Sequence, residues 1–148
     1  DAEVWCVEID LRSHNREALV AHPMYSRLKI FDGSSVDEKI VSVIAEKAAR
    51  SHRVMVILDS NHTHDRVLGD LNLYAPLVSV GRYSVVFNTV LGDLEGVEFV
   101  DRPWGKGDNP NTAVAEFLKT NSDFEVDHAI DEKLLISATP GGYLKRVK

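Results

Sequence analysis

One stretch gathers most of the residues that could do chemistry. Val54 to Asp65, VMVILDSNHTHD, is an apolar run that gives way abruptly to Asp59, Asn61, His62, His64 and Asp65. Acid, amide and imidazole groups therefore fall at the carboxyl end of a strand, where open α/β sheets place their ligands. Asp59 has two readings, a ligand-binding acid or a strand-end acid hydrogen-bonded to the next turn. His62 and His64 stand two apart at a helix entry and do not share a helical face, so a solvated or capping role competes with catalysis. Glu8 and Asp10 alternate on one face of EVWCVEIDL. If that face were buried, both acids would need partners.

The elements that must position these groups follow from hydrophobic periodicity. Glu3 to Leu11 reads as a strand with Trp5, Val7, Ile9 and Leu11 on one face, and His14 to Ala21 as a short helix that ends before Pro23. Leu28 to Phe31 is a second strand, closed by Asp32 and Gly33. Ser35 and Glu38 have capping-box spacing, and Val36, Ile40, Val43, Ile44 and Ala48 continue at helical spacing to about Arg50. Val54 to Leu58 is apolar on both faces, as a central parallel strand is. Asp65 to Leu77 predicts a helix capped by Asn61 or Thr63, and Tyr83 to Phe87 a fourth strand. Leu91 to Asn111 is a long surface excursion, and Asn109 with Pro110 opens a further helix. Phe124 to Ile130 and Leu134 to Ala138 read as an antiparallel hairpin around Asp131 to Lys133. Pro140 to Gly142 then turns the chain into GYLKRVK, whose last four residues, KRVK, read as a solvated basic end. Strands alternating with helices predict an α/β fold, a mostly parallel sheet with an antiparallel edge.

At 148 residues the sequence fits a single domain, with apolar and charged fractions of 44% and 27%. A net charge of -6 argues against non-specific binding to nucleic acid or anionic membrane and favours small molecules or proteins as partners. Cys6 is the single cysteine and reads as a small core residue, so a reducing compartment is expected. No apolar run approaches the roughly 18 residues of a membrane span and no signal-peptide pattern opens the chain, which places it in the cytoplasm by expectation. The chain begins with Asp1 and is almost at once in a strand, which suggests a trimmed or partial chain.

The stretches CVEIDLRSHNR, FDGSSVDE, VMVILDSNHTHDRVLGDLNLYAPLVSVGRYSVV, RPWGKGDNPNTAVAEFLKTNSDFEVD and GYLKRVK resemble the cephalosporin hydroxylase and rhamnosyl O-methyltransferase family. The resemblance runs from about Val4 to the last residue and implies the Rossmann-like fold of class I S-adenosylmethionine (SAM) dependent methyltransferases, with helices on both faces of the sheet. It implies an acid for the SAM ribose at Glu8 or Asp10, and adenine contacts near Asp32, Gly33, Ser34 and Ser35. It further implies a divalent ion, magnesium, held by Asp59 with Asn61 close by and by Asn88. His62 and His64 become candidate acid–base groups, with His62 as general base.

Two positions depart from the family pattern. Phe87 stands where an acid of the metal-binding pair is expected, and phenylalanine offers no oxygen to a hard cation that needs about six ligands. The family's first strand and glycine-rich SAM loop, which should precede CVEID, are missing from these residues. Either that piece has been removed from the chain, or the strands at Val4 and Val54 pair directly, or a second chain fills the gap; rearrangement with formation of a homo-oligomer, a dimer, is the favoured expectation. The expected function is SAM-dependent O-methylation of a sugar or small-metabolite hydroxyl, impaired or lost here. The alternative is a non-catalytic domain of the same fold that acts as an oligomeric interaction module. HTHD also resembles part of the H-x-H-x-D-H zinc motif of metallo-β-lactamase-like hydrolases, but Asp65 follows His64 directly and Arg66 stands where further ligands would be wanted. Trp104 in RPWGKG is either a loop anchor or part of a substrate wall.

Overall fold

The computed structural model describes residues 2–94 and 100–148, so part of the Leu91 to Asn111 excursion lies outside the described residues. The chain divides into two compact units, Asp1–Ala49 and Arg50–Lys148.

In the first unit β1 (Val4–Glu8) and β2 (Leu28–Asp32) pair in parallel, from Val4 opposite Leu28 to Glu8 opposite Asp32. The crossover between them is α1 (Ser13–Ala21), and α2 (Glu38–Ala49) follows β2. The alternation of the strands sends Trp5 and Phe31 to one face, their rings 5.4 Å apart. Lys47 of α2 covers that face, with its ammonium 5.5 Å from the Trp5 ring and 2.7 Å from the Glu3 carboxylate. Cys6, Leu28 and Ile30 face the other way, toward Leu19 of α1. Helices therefore lie on both faces of this pair. Cys6 is half-buried, and desolvation pushes its thiol above the usual range. The start of α2 is capped by Asp37, whose carboxylate accepts from Lys39 N and Ile40 N at 2.8 and 3.3 Å, where the sequence pattern had pointed to Ser35. Asp37 immediately precedes the first helical residue, the place where an acid meets unpaired N–H groups and the positive end of the helix dipole.

The second unit holds the buried core. Its elements are β3 (Val56–Leu58), α3 (His64–Tyr74), β4 (Tyr83–Val86), α4 (Pro110–Thr120), β5 (Phe124–Val126), α5 (His128–Leu134) and β6 (Tyr143–Arg146). The strand order is β3-β4-β6-β5, parallel between β3 and β4 and antiparallel at the other two pairings. Val67 and Leu71 of α3 meet Val114 and Phe117 of α4 over Val86 and Leu144. Burying each such side chain contributes roughly 1.5–3 kcal/mol.

The sheets belong to the units one by one: a parallel pair in the first and, in the second, a mixed sheet whose β6 and β5 form the antiparallel part. One expectation is corrected here. The hairpin from Phe124 to Ala138 does not form: Asp127 accepts from Ala129 N at 3.2 Å and nucleates α5 across the positions assigned to the turn. The second strand role passes to β6, which takes in Lys145 and Arg146 of the KRVK end read as solvated. Leu144 is fully buried there, and the Arg146 guanidinium donates to the carbonyls of Pro76 and Val78 at 2.8 and 2.6 Å.

Gly142 makes this insertion possible. A Cβ at that position would stand 2.2 Å from the Val86 carbonyl oxygen, whose strand β6 must approach. Gly142→Ala is therefore expected to destabilise by about 1–3 kcal/mol or more. Gly69 lies inside α3, and a methyl group added there would meet nothing within 4 Å. Gly69→Ala should stabilise by roughly 0.5–1 kcal/mol. Urea unfolding of the two variants checks both signs.

Candidate functional site

The site grows from the carboxyl ends of β3 and β4. Phe87 N–H donates to the Leu58 carbonyl at 2.9 Å, the last rung of the parallel ladder, and Asp59 and Asn88 follow directly. Asn88 adopts φ 59°, ψ 24°, a left-handed conformation that asparagine tolerates better than most residues. Its amide nitrogen lies 2.9 Å from Asp59 Oδ1 and 2.9 Å from His62 Nε2. A carboxylate only accepts, so the group facing Asp59 is the NH2. With both its hydrogens donated, His62 Nε2 is an acceptor and the ring proton sits on Nδ1. Asp59 Oδ1 is also 3.6 Å from His62 Nε2. The His62 ring packs edge-on to Trp104, centroids 4.7 Å apart, and the Arg102 guanidinium stands 5.3 Å from the Trp104 ring. The His62 side chain is 21% exposed and that of Asp59 55%, so solute can reach both. The cluster can hold a polar ligand against an indole wall and receive a proton at Nε2.

The turn that carries His62 is held at several points. Asn61 Oδ1 accepts from Thr63 N and Thr63 Oγ1 at 2.9 and 2.8 Å. Ser60 Oγ donates to Asp70 Oδ2 at 3.0 Å, and Asp70 is buried in α3. Asp108 Oδ1 accepts from His64 N at 2.5 Å, capping α3 from a distant loop. His64 Nδ1 meets Thr112 Oγ1 at 2.9 Å. Thr112 and Asn109 form a reciprocal capping box at the start of α4. His64 thus ties the starts of two helices together, while His62 faces the cluster. Sequence reasoning missed Asp108, Thr112 and Arg102. Only Arg102 carried a signal, its place two residues before Trp104.

The proposed metal donors do not make a magnesium site. Asn88 turns its amide N–H groups, not its oxygen, toward Asp59, and the Asn61 oxygen is taken by Thr63. Asp59 remains as the one anionic donor, and among the described residues no group of three His, Cys, Asp or Glu could hold a metal ion. One carboxylate, with both amide oxygens turned elsewhere, is a poor donor set even for a cation that keeps several waters.

The proposed nucleoside-binding residues lie in the first unit. Glu8 and Asp32 are directly opposite at the carboxyl ends of β1 and β2. Glu8 borders a cavity of about 230 Å³ lined by Cys6, Leu11, Leu19, Leu28 and Ile30. One Glu8 oxygen accepts from Asp10 N at 3.2 Å. Asp32 is paired with Arg16, and Ser34 Oγ accepts from Val36 N at 3.4 Å. Ser35 lies between them and the capped start of α2. A carboxylate at the lip of an apolar cavity can accept from a vicinal diol while a flat ring enters the cavity.

Two outcomes test this geometry. Asn88→Ala removes both amide bonds and leaves a Cβ in the left-handed region, whereas Asn88→Gly removes the bonds and relaxes the backbone. Alanine should therefore be the less stable of the two by about 1 kcal/mol in urea unfolding. Burial, and then the charge of Asp70, push the Tyr74 phenol up to about 12. A free phenol ionises near 10, so the stability this group contributes is complete below about pH 10 and is lost as pH rises through about 12. Absorbance titration should show a tyrosine ionising near that value, and Tyr74→Phe should remove it.

Among the described residues no helix is long and apolar enough to cross a membrane. Neither a curated protein nor a solved structure matches the chain. A family model described as Rhamnosyl O-methyltransferase/CmcI matches residues 1–147. That description points to a methyltransferase-like function and to use of SAM. With nearly its whole length matched, the chain belongs to the rhamnosyl O-methyltransferase/CmcI family.

Proposed function

We propose that this protein is a Rossmann-like, SAM-dependent O-methyltransferase that acts on a hydroxyl of a sugar or small metabolite, with His62 as general base. The observation that carries the reading is the Asp59–Asn88–His62 cluster at the ends of two parallel strands. Its imidazole meets the Asn88 NH2 with Nε2, is partly exposed and is backed by a carboxylate.

In this reading the substrate hydroxyl displaces the Asn88 N–H from His62 Nε2 and gives its proton to that nitrogen as the oxygen forms its bond to carbon. Asp59 Oδ1, 3.6 Å away, stabilises the imidazolium. Trp104 supplies a flat apolar wall, and Arg102 over the indole holds it in place. SAM, when bound, would supply the electrophilic methyl group, the methyl–sulfur bond breaking as the oxygen–carbon bond forms and S-adenosylhomocysteine leaving. Glu8 would accept from its ribose hydroxyls, with Asp10, Asp32, Ser34 and Ser35 around the nucleoside. No step passes through magnesium.

A second reading, a non-catalytic module of the same fold, is favoured by Phe87 in place of a metal-binding acid. Calorimetric titration with S-adenosylhomocysteine separates the two. The enzyme reading expects saturable binding, weakened roughly ten- to a hundredfold in Glu8→Ala through loss of charge-assisted hydrogen bonds. It expects unchanged affinity in His62→Ala, with methyl transfer reduced about 10²–10⁴-fold. Absence of heat at millimolar ligand would sink it and leave the non-catalytic module.

A further inference from the structure

We propose that the cavity beside the short helical turn Thr89–Gly92 is a subsite for the apolar ring or short chain of an acceptor whose hydroxylated part lies toward Asn88. The inference deepens the proposed O-methylation and rests on that reading for the role of the ligand, but the binding itself is measured without SAM.

The cavity, about 230 Å³, lies wholly within the second unit. One wall is a stripe of α4: Asn111, Val114, Ala115 and Leu118 stand at i, i+3, i+4 and i+7 and so share a helical face. Val126 at the end of β5 and the turn at Pro140 and Gly141 face that stripe. Thr89 completes the lining, and it follows Asn88 directly in the chain, so the cavity begins one residue from the group that meets His62. The walls are held by bonds of their own. Thr89 Oγ1 donates to the Pro140 carbonyl at 2.8 Å, and Gly141 N–H donates to Asp131 Oδ2 at 2.9 Å. A ligand therefore meets a preformed shape and loses little to ordering it.

The polarity of the lining runs in one direction. Asn111, in the first turn of α4, brings a side-chain amide with no hydrogen-bond partner among the described residues. Gly92 makes room for it: a Cβ there would stand 2.7 Å from Asn111 Cβ and 3.0 Å from its Nδ2. Leu118 lies two helical turns further, roughly 10 Å along the axis, and the wall between is apolar. Past Asn111 the lining side chains offer a sugar hydroxyl no partner, since the Thr89 hydroxyl is already given to Pro140. A hydroxyl buried there would lose its water without replacement, whereas an apolar group gains by leaving water. An apolar cavity of roughly 150 Å³ holds benzene, so this one admits a six-membered ring or a short alkyl chain. The lining thus selects a hydroxyl compound with an apolar portion, its polar end read by Asn111.

Methyl-resolved NMR with phenyl β-D-glucoside and methyl β-D-glucoside as probes, in the absence of SAM, tests the proposal. The phenyl glycoside should give saturable shifts at the Val114, Leu118 and Val126 methyls, and the methyl glycoside none at the same concentration. Ala115→Phe, at an exposed position of α4 that leaves the core untouched, should fill the cavity and weaken binding about tenfold or more. Asn111→Ala should weaken it roughly two- to tenfold through loss of one hydrogen bond. No shift at those methyls up to the solubility of the phenyl glycoside, equal shifts with the methyl glycoside, or unchanged binding in Ala115→Phe would each overturn the proposal. Failure of the methylation reading shows separately, as absence of heat with S-adenosylhomocysteine, and leaves these methyl shifts in place.

Discussion

Phe87 N–H donates to the Leu58 carbonyl at 2.9 Å, and this last rung of the β3–β4 ladder fixes where the chemistry can sit. The parallel register sets Leu58 beside Val86. The chain then leaves both strands in the same direction, so Asp59 and Asn88 emerge side by side. A slip of one residue would send Asp59 to the other face of the sheet. The left-handed turn at Asn88 completes the arrangement by folding its amide back onto Asp59 and His62. A parallel pair requires a crossover, and α3 supplies it; Val67 and Leu71 bury that helix against the sheet.

Polar links then hold the turn rigid. Ser60 reaches the buried Asp70, Asp108 caps α3 through His64 N, and His64 joins Thr112 of the α4 capping box. Each link satisfies a donor or acceptor at a helix start or turn, so the stability of the unit and the placement of His62 have the same origin. The buried core of the described residues lies wholly in this second unit, whereas the first unit has half-buried faces around β1 and β2.

The parts legible in the sequence were those encoded locally. VMVILDSNHTHD announced a buried strand running into a polar turn, and Asn109–Pro110 announced a helix start; the helix start and the step from strand to turn are found, but the strand is confined to Val56–Leu58 and only half-buried, with Ile57 exposed. The C-terminal end was misread because its deciding interaction is long-range. Nothing local marks Tyr143 to Arg146 as an inner strand; the fit depends on Gly142 passing the Val86 carbonyl and on Arg146 reaching Pro76 and Val78. Asp131 to Lys133 resembled a turn by composition, yet Asp127 as cap makes it helix. At the site, Asp59 and His62 could be named from residue type. The bond from Asp108 to His64 spans 44 residues of sequence and leaves no local trace. The orientation of Asn88 was not legible either, since an asparagine can offer its oxygen or its NH2, and here the NH2 faces Asp59.

The central claim is that Asn88 donates to both Asp59 and His62 and so keeps the proton of a neutral His62 on Nδ1. Nitrogen-15 NMR of the imidazole side chains, at a pH where His62 is neutral, measures this directly. The account predicts a protonated Nδ1 and an acceptor-type Nε2 for His62, with the balance moving toward protonated Nε2 in Asn88→Ala. A wild-type His62 protonated on Nε2, or a tautomer unaltered by Asn88→Ala, would contradict it.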